Sequence, residues 1–170
     1  MSFKEISVYD IKENAFDLIG KQWMLVAAKS GEKVNAMTAS WGGIGIMWGV
    51  PVAYVFIRPQ RYTKQFIDEA EGMSLTFFDE SYRKMLSYMG TVSGRNEDKI
   101  EKSGLGVELS GDIPYFKEGK MTLITKKKYM QKLDRECLIC QEIHNKWYPG
   151  DDYHYMYICE IEKVLVSEEE

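Results

Sequence analysis

Apolar residues in this chain recur mostly at alternate positions or in short unbroken runs, and only a few stretches keep helical spacing. The first of those is Ile11, Ala15, Leu18 and Ile19, which share one helical face. Asp10 stands as an N-cap with Glu13 three residues on, and Gly20 as a C′ residue, so the pattern predicts a helix over 11–19. Trp23 to Ala28 is then a compact apolar run, "SGEK" reads as a turn, and Val34 to Ser40 continues extended, which together predict a hairpin. Val52 to Ile57 reads as a strand that stops at Arg58-Pro59, because proline holds its predecessor extended.

A short helix is expected from Thr63 to Gly72 with Phe66, Ile67 and Ala70 inward, followed by a strand over Met73–Phe78. Tyr82, Met85, Leu86 and Met89 form a second helical stripe ending at Gly90, and residues 96–103 supply one or two further turns. Two long alternating runs, 121–131 and 153–166, read as antiparallel strands, and Cys137–Ile143 between them fits no period. Strands that follow one another with only occasional helices favour an antiparallel barrel with peripheral helices over a doubly wound sheet. No repeat or linker divides the 170 residues, so 1–170 is expected to be a single domain with a core of its own.

Composition narrows the class. A net charge of −4 gives no reason to expect a nucleic-acid partner, and Lys126-Lys127-Lys128 reads as a solvated strand face. The N-terminus lacks the apolar core of a signal peptide and no run approaches the roughly 20 apolar residues of a membrane span, so a cytoplasmic protein is expected. Three cysteines suit a reducing compartment; Cys137-x-x-Cys140 lacks the further ligands of a zinc site, and Cys159 is expected in the core. Aromatic residues make up 13% of the chain, enough to furnish a flat-ligand pocket or a dimer interface.

The stretch "NAMTASWGGIGIMWG" tests a dinucleotide-binding turn and fails it. Trp48 stands where the third glycine of Gly-x-Gly-x-x-Gly belongs, and Val50-Pro51 opens a β-like run where a helix is required. The residues ahead of the glycines carry more information. In an extended Asn35–Ser40, Thr38 and Ser40 point the same way, either to water from an edge strand or to a polar ligand. "RPQRYT" then puts Arg58, Arg61, Tyr62 and Thr63 at a strand-to-helix junction, where guanidinium groups and free helix N–H groups suit a phosphate. "GTVSGRNEDK" adds Ser93, Arg95 and Lys99 on a second polar loop. Either basic loop alone is an ordinary surface feature; both, with the polar strand, point to a phosphorylated planar ligand.

In order and approximate spacing, Asn35-x-Met37-Thr38-x-Ser40-Trp41, Arg58-Pro59-x-Arg61-Tyr62-Thr63 and Ser93-Gly94-Arg95-x-x-Asp98-Lys99 resemble the flavin reductase-like, FMN-binding split-barrel family, in its flavoredoxin-type branch. The likeness spans about residues 10 to 166. It implies a mostly β chain with peripheral helices, folded as a six-stranded antiparallel Greek-key split barrel, and a homodimer with FMN near the subunit interface. It also implies that Asn35, Met37, Thr38, Ala39, Ser40 and Trp41 run along the isoalloxazine edge. Arg58, Arg61, Tyr62 and Thr63 would lie by the ribityl chain and phosphate, with Ser93, Arg95 and Lys99 adding donors and positive charge. Family members carry a Gly-Asp-His element before the last strand; the corresponding stretch here is Gly150-Asp151-Asp152-Tyr153-His154, which makes His154 the candidate at the open flavin face. The implied activity is hydride transfer from NAD(P)H to FMN and onward to a flavin, metal complex or protein acceptor. An FMN-bearing carrier with no NAD(P)H site of its own is the alternative. Flavin chemistry needs no protein nucleophile, so the lack of a triad is consistent with either.

Overall fold

The computed structural model describes residues 2–168. Ten strands and four α-helices follow in the order β1 (Phe3–Ile6), β2 (Met24–Ser30), β3 (Lys33–Ala39), β4 (Gly42–Met47), β5 (Val50–Ile57), α1 (Tyr62–Glu69) and β6 (Gly72–Phe77). The second half holds α2 (Arg83–Thr91), α3 (Lys99–Ser103), β7 (Val107–Ser110), β8 (Ile113–Phe116), β9 (Met121–Lys132), α4 (Gln141–Trp147) and β10 (Tyr155–Ser167). The main sheet is antiparallel, ordered β3-β2-β6-β9-β10-β5-β4 with β1 on β10, and β7 pairs only with β8.

Strands β3 and β4 stand at opposite ends of that order, yet only Ser40 and Trp41 separate them in sequence. Three steps of extended chain span about 10 Å, so the sheet curls until its two edges meet. The result is a barrel split along β3 and β4, with Ser40 and Trp41 at the split. Strand β10 makes the wrapping possible. Its two register shifts against β9, at Ile158/Cys159 and Ile161/Lys163, bend a 13-residue strand so that one half pairs with β5 and the other with β1.

Strand β2 shows why Trp23–Ala28 is an unbroken apolar run. Val26 and Ala28 point into the barrel with Met37, Val55, Leu75 and Tyr157, while Leu25 and Ala27 point out to a second core under α2 with Ala36, Leu86 and Met89. A strand buried on both faces has no polar face to alternate with.

The structure corrects three expectations and resolves two stretches left open. The Ile11–Ile19 face is not an α-helix: Ser7 caps a 3₁₀ turn at Val8–Asp10, and a π-helix follows at Asp17–Gln22 with Gly20 inside it. Leu18 and Ile19 are buried all the same, carried into the barrel core by the π-helix itself. The glycine-rich stretch that fails the dinucleotide turn is strand β4, closed onto β5 by a Trp48-Gly49 turn with both φ values positive, which matches the twist of a two-residue hairpin. With β1, β4 raises the ladder to eight strands rather than six. Lys127 is not a solvated residue: its ammonium donates to the Ile67 carbonyl and, at 3.0 Å, to that of Asp68, closing the C-terminal end of α1. Cys137–Ile143 resolves into a 3₁₀ turn at Arg135–Cys137 and the start of α4.

Candidate functional site

Two adjoining hollows lie beside the split. The first, about 240 Å³, is lined by Met37, Thr38, Ala39, Ser40 and Trp41 from β3 and its end, with Phe56, Arg58, Arg61 and His154 opposite. The second, about 300 Å³, shares Met37, Arg58 and Arg61 and continues past Gln60, Tyr62 and Thr63 to Ser93, Gly94 and Lys99. Segments separated by up to 117 positions in sequence, Met37 and His154, thus meet at one place.

The second hollow has an unusual charge distribution. Lys99 is 3% exposed. Its ammonium donates to the carbonyls of Met89 at 2.7 Å and Val92 at 3.0 Å, with no carboxylate partner among the described residues. Burial, and then the Arg61 charge, pull its pKa down to about 8. Arg61 is half-buried and donates to the Gly90 carbonyl at 2.6 Å, also without a carboxylate; burial and the nearby Arg58 lower its pKa. Buried charges are normally paired or meet a ligand. The N-terminal turn of α1 opens beside them, with Arg61 as N-cap and no side-chain cap present.

Arg58 has a different fate. Its guanidinium is ion-paired with Asp152 and donates to the Trp147 carbonyl at 2.9 Å, and Gln60 also donates to Asp152 at 2.8 Å. Asp152 in turn has its pKa held down by the Gln60 and Arg58 hydrogen bonds against the cost of burial. These contacts anchor the excursion between β9 and β10, whose ends are joined by Leu133 N–H donating to the His154 carbonyl at 2.9 Å. Within it Tyr148 and Tyr153 stack at 4.4 Å, and His144 Nδ1 is 2.7 Å from the Tyr153 hydroxyl. Its Trp147 ring stands edge-on to Trp41 at 4.9 Å.

His154 sits at the foot of this excursion, buried, with Nδ1 hydrogen-bonded to the Tyr148 hydroxyl at 2.9 Å and its ring 4.9 Å from Trp41. Burial, then the Arg58 charge, bring its pKa down to about 4, so it is neutral at pH 7. The two extra residues ahead of it, Asp152 and Tyr153, do not move it out of the hollow; they supply the carboxylate that holds Arg58.

Other residues singled out in the sequence act beside the hollows rather than in them. Asn35 lines neither; its amide donates to the Thr63 hydroxyl at 2.9 Å and ties β3 to α1. A Cβ on Gly94 would come within 2.4 Å of the Asn35 Oδ1, so a larger residue there would have to displace the Asn35 amide that ties β3 to α1. Thr38 does not have a free hydroxyl: Oγ1 donates to the Leu86 carbonyl at 2.6 Å. Arg95 lies over the Tyr62 ring at 4.7 Å and donates to the Gln60 carbonyl at 3.1 Å, and its own N–H is held by Ser93 Oγ at 3.2 Å. Phe56, Gln60 and Asp152 were not among the sequence candidates. Gln60 lies inside the RPQR motif and was the one with a visible signal.

No family model matches the chain, and neither does any curated protein sequence. Solved structures do. The chain is similar to flavoredoxin from Methanosarcina acetivorans, with a TM-score of 0.69 and 22% identity over 86% of this chain and 69% of that one. It is similar to flavoredoxin of Desulfovibrio vulgaris (Miyazaki F), with a TM-score of 0.68 and 26% identity over the same shares. A third likeness is to an FMN-binding domain of a flavin reductases-like enzyme from Shewanella baltica, with a TM-score of 0.69 and 16% identity over 97% of this chain and 77% of that one. In fold, therefore, the chain is a split barrel. More narrowly, it has the fold of the flavin reductase-like FMN-binding split barrels, and flavoredoxins are among the structures that share it.

Proposed function

We propose that this chain binds FMN in the two hollows and works as an FMN-dependent oxidoreductase. The observation that carries the reading is the pair of cations, buried Lys99 and half-buried Arg61, both without a carboxylate among the described residues and next to the open first turn of α1. A phosphate monoester supplies the missing negative charge and accepts from both. The first hollow then takes the flat ring system, against Met37 to Trp41 on one side and the neutral His154 on the other. When bound, FMN supplies the redox chemistry, hydride acceptance from NAD(P)H at N5 and delivery of electrons to a flavin, metal complex or protein acceptor. The chain's own part is to orient the ring, keep the phosphate end dry and hold the pocket's neutral histidine as a hydrogen-bonding group.

A homodimer belongs to the same reading. From Val34 to Ile57 the sequence has no charged residue, and the edge strand β4 leaves Ile46 and Trp48 exposed, an edge that asks for cover. Among the described residues no helix is long and apolar enough to cross a membrane. With Cys137 and Cys140 exposed as free thiols, a reducing cytoplasm is the setting we assign.

One observation favours the carrier as a second reading. Trp147 already packs on Trp41, and Arg58 holds the Trp147 carbonyl, so one side of the rim that a nicotinamide ring would approach is occupied by protein. Anaerobic mixing of FMN-loaded protein with NADH and NADPH separates the two. Rapid bleaching of the flavin absorbance by either donor is expected of the reductase. Bleaching only by a reduced protein donor makes it a carrier, and protein that takes up no added FMN overturns both.

A further inference from the structure

The two ring nitrogens of His154 have different surroundings. Nδ1 is 2.9 Å from the Tyr148 hydroxyl, and the two side chains are only 7% and 4% exposed. Nε2 has no hydrogen-bond partner among the described residues. It is not among the buried side-chain atoms left without one either, so it keeps accessible surface. His154 lines the first hollow, and Nε2 is its only polar side-chain atom free to meet a ligand there.

The proton between Nδ1 and the hydroxyl could sit on either atom. Burial raises the Tyr148 pKa, so the phenol keeps its proton, and the neutral His154 has a single ring proton to place. Were Nδ1 the protonated nitrogen, the Tyr148 oxygen would accept from it and the phenolic hydrogen would have to point elsewhere. The hydroxyl has no other hydrogen-bond partner, so a buried O–H would be left bare, which is costly. With Tyr148 as the donor both groups are satisfied, and the ring proton belongs on Nε2.

Tyr148 is itself firmly held. Its N–H donates to the His144 carbonyl at 2.8 Å, its ring stacks on Tyr153 at 4.4 Å, and the Arg58 guanidinium lies 5.3 Å from its ring centre. It meets His154 nearly edge-on, with the ring planes 79° apart, and Trp41 lies 4.9 Å from the same imidazole. Turning the imidazole over would break the Tyr148 bond.

We infer that Tyr148 is a positioning residue: it holds His154 as the Nε2–H tautomer, so the first hollow presents a fixed hydrogen-bond donor and selects a ligand edge with an acceptor there, a carbonyl oxygen or an unprotonated ring nitrogen. The identity of that ligand rests on the flavin reading, and an oxidised flavin ring carries acceptors of both kinds. The tautomer does not depend on that reading.

Long-range proton–nitrogen correlation spectra of isotope-labelled, FMN-free protein at pH 7 read the tautomer directly. The chain has only two histidines, so the signals that vanish in His154→Phe are those of His154. Nε2 is expected at a protonated, pyrrole-type shift and Nδ1 at an unprotonated, pyridine-type shift, with the Nε2–H form in at least about tenfold excess. In Tyr148→Phe, which keeps the ring and removes the hydroxyl, the Nδ1 resonance should move downfield as its lone pair loses the donor. Added FMN should move the wild-type Nε2 proton downfield, as donation to an acceptor does. A pyrrole-type Nδ1 in wild type would overturn the assignment. So would an Nδ1 shift that Tyr148→Phe leaves in place, or an Nε2 proton that bound FMN leaves unmoved. Should Tyr148→Phe fail to fold, the wild-type spectra with and without FMN still decide. Protein that takes up no FMN sinks the flavin reading, while the FMN-free spectrum still tests the tautomer.

Discussion

Arg58 and Arg61 stand three residues apart in one motif, read alike in the sequence, and end in opposite electrostatic surroundings. Arg58 is neutralised by Asp152 and bound to the Trp147 carbonyl, so it fastens the β9–β10 excursion to the site. Arg61, which lines the same hollows, donates to the Gly90 carbonyl and lies near Lys99, which also lacks an acid. The contrast teaches where an anion belongs. A cation already paired gains little from a phosphate, whereas a buried and a half-buried cation without acids gain the interaction that their surroundings deny them.

The largest expected effect follows from that asymmetry. Arg61→Met and Lys99→Met should each weaken FMN binding by roughly ten- to a hundredfold, from about 1.5–3 kcal/mol per charged hydrogen bond. Arg58→Met should cost only a few-fold, which fluorescence titration resolves. A reversed ranking would place the phosphate at Arg58 and break the comparison.

The next effect is on pH. The folded pKa of Lys99 is about 8, below its ordinary 10.5, so the native protein binds fewer protons than the unfolded chain between those values. Stability of the FMN-free protein should therefore rise with pH across that window, as the penalty for burying the charge is lifted. FMN affinity should do the opposite, falling by up to about tenfold per pH unit above 8 as the cation is lost. Titrations between pH 7 and 10 should show this slope in wild type and a flat line in Lys99→Met.

On the Arg58 side the effects are smaller and concern motion. Asp152→Asn should loosen the excursion and speed limited proteolysis within residues 134–153 several-fold, with FMN affinity nearly unchanged. An unaltered cleavage rate would mean that the Tyr148–Tyr153 stack and the Trp41–Trp147 contact hold the excursion without the ion pair. Smallest is the acid limb of stability. His154, lowered from 6.5 to about 4, makes the native state bind fewer protons than the unfolded one between those values, so it contributes a loss of stability as pH falls from 6.5 to 4. Thermal melts of His154→Phe should show a shallower decline over that range.

Much of this frame was legible before any coordinates. The polar strand, the RPQRYT junction and the Ser93–Lys99 loop were recognisable because each combines a local backbone signal with a donor type. The antiparallel barrel was legible from strands that follow one another without helices. What escaped notice was decided by tertiary pairing. Nothing local distinguishes Arg58 from Arg61, since the distinguishing carboxylate lies 94 positions away in Asp152. The same holds for Thr38, whose hydroxyl is taken by the Leu86 carbonyl from 48 positions on. Strand β4 is not legible because its three glycines carry no side-chain period, and the π-helix is not because the Ile11–Ile19 spacing fits an α-helix equally well. Cys137–Ile143 had no period because its turns are short and exposed.

The most direct test of the unpaired cations is to titrate wild-type and Lys99→Met protein with FMN and with riboflavin, which differs only in lacking the phosphate. Wild type is expected to bind FMN at least about tenfold more tightly than riboflavin, and Lys99→Met to lose most of that difference while keeping its riboflavin affinity. An FMN-to-riboflavin ratio that stays the same in the variant would contradict the placement of the phosphate at Lys99 and Arg61.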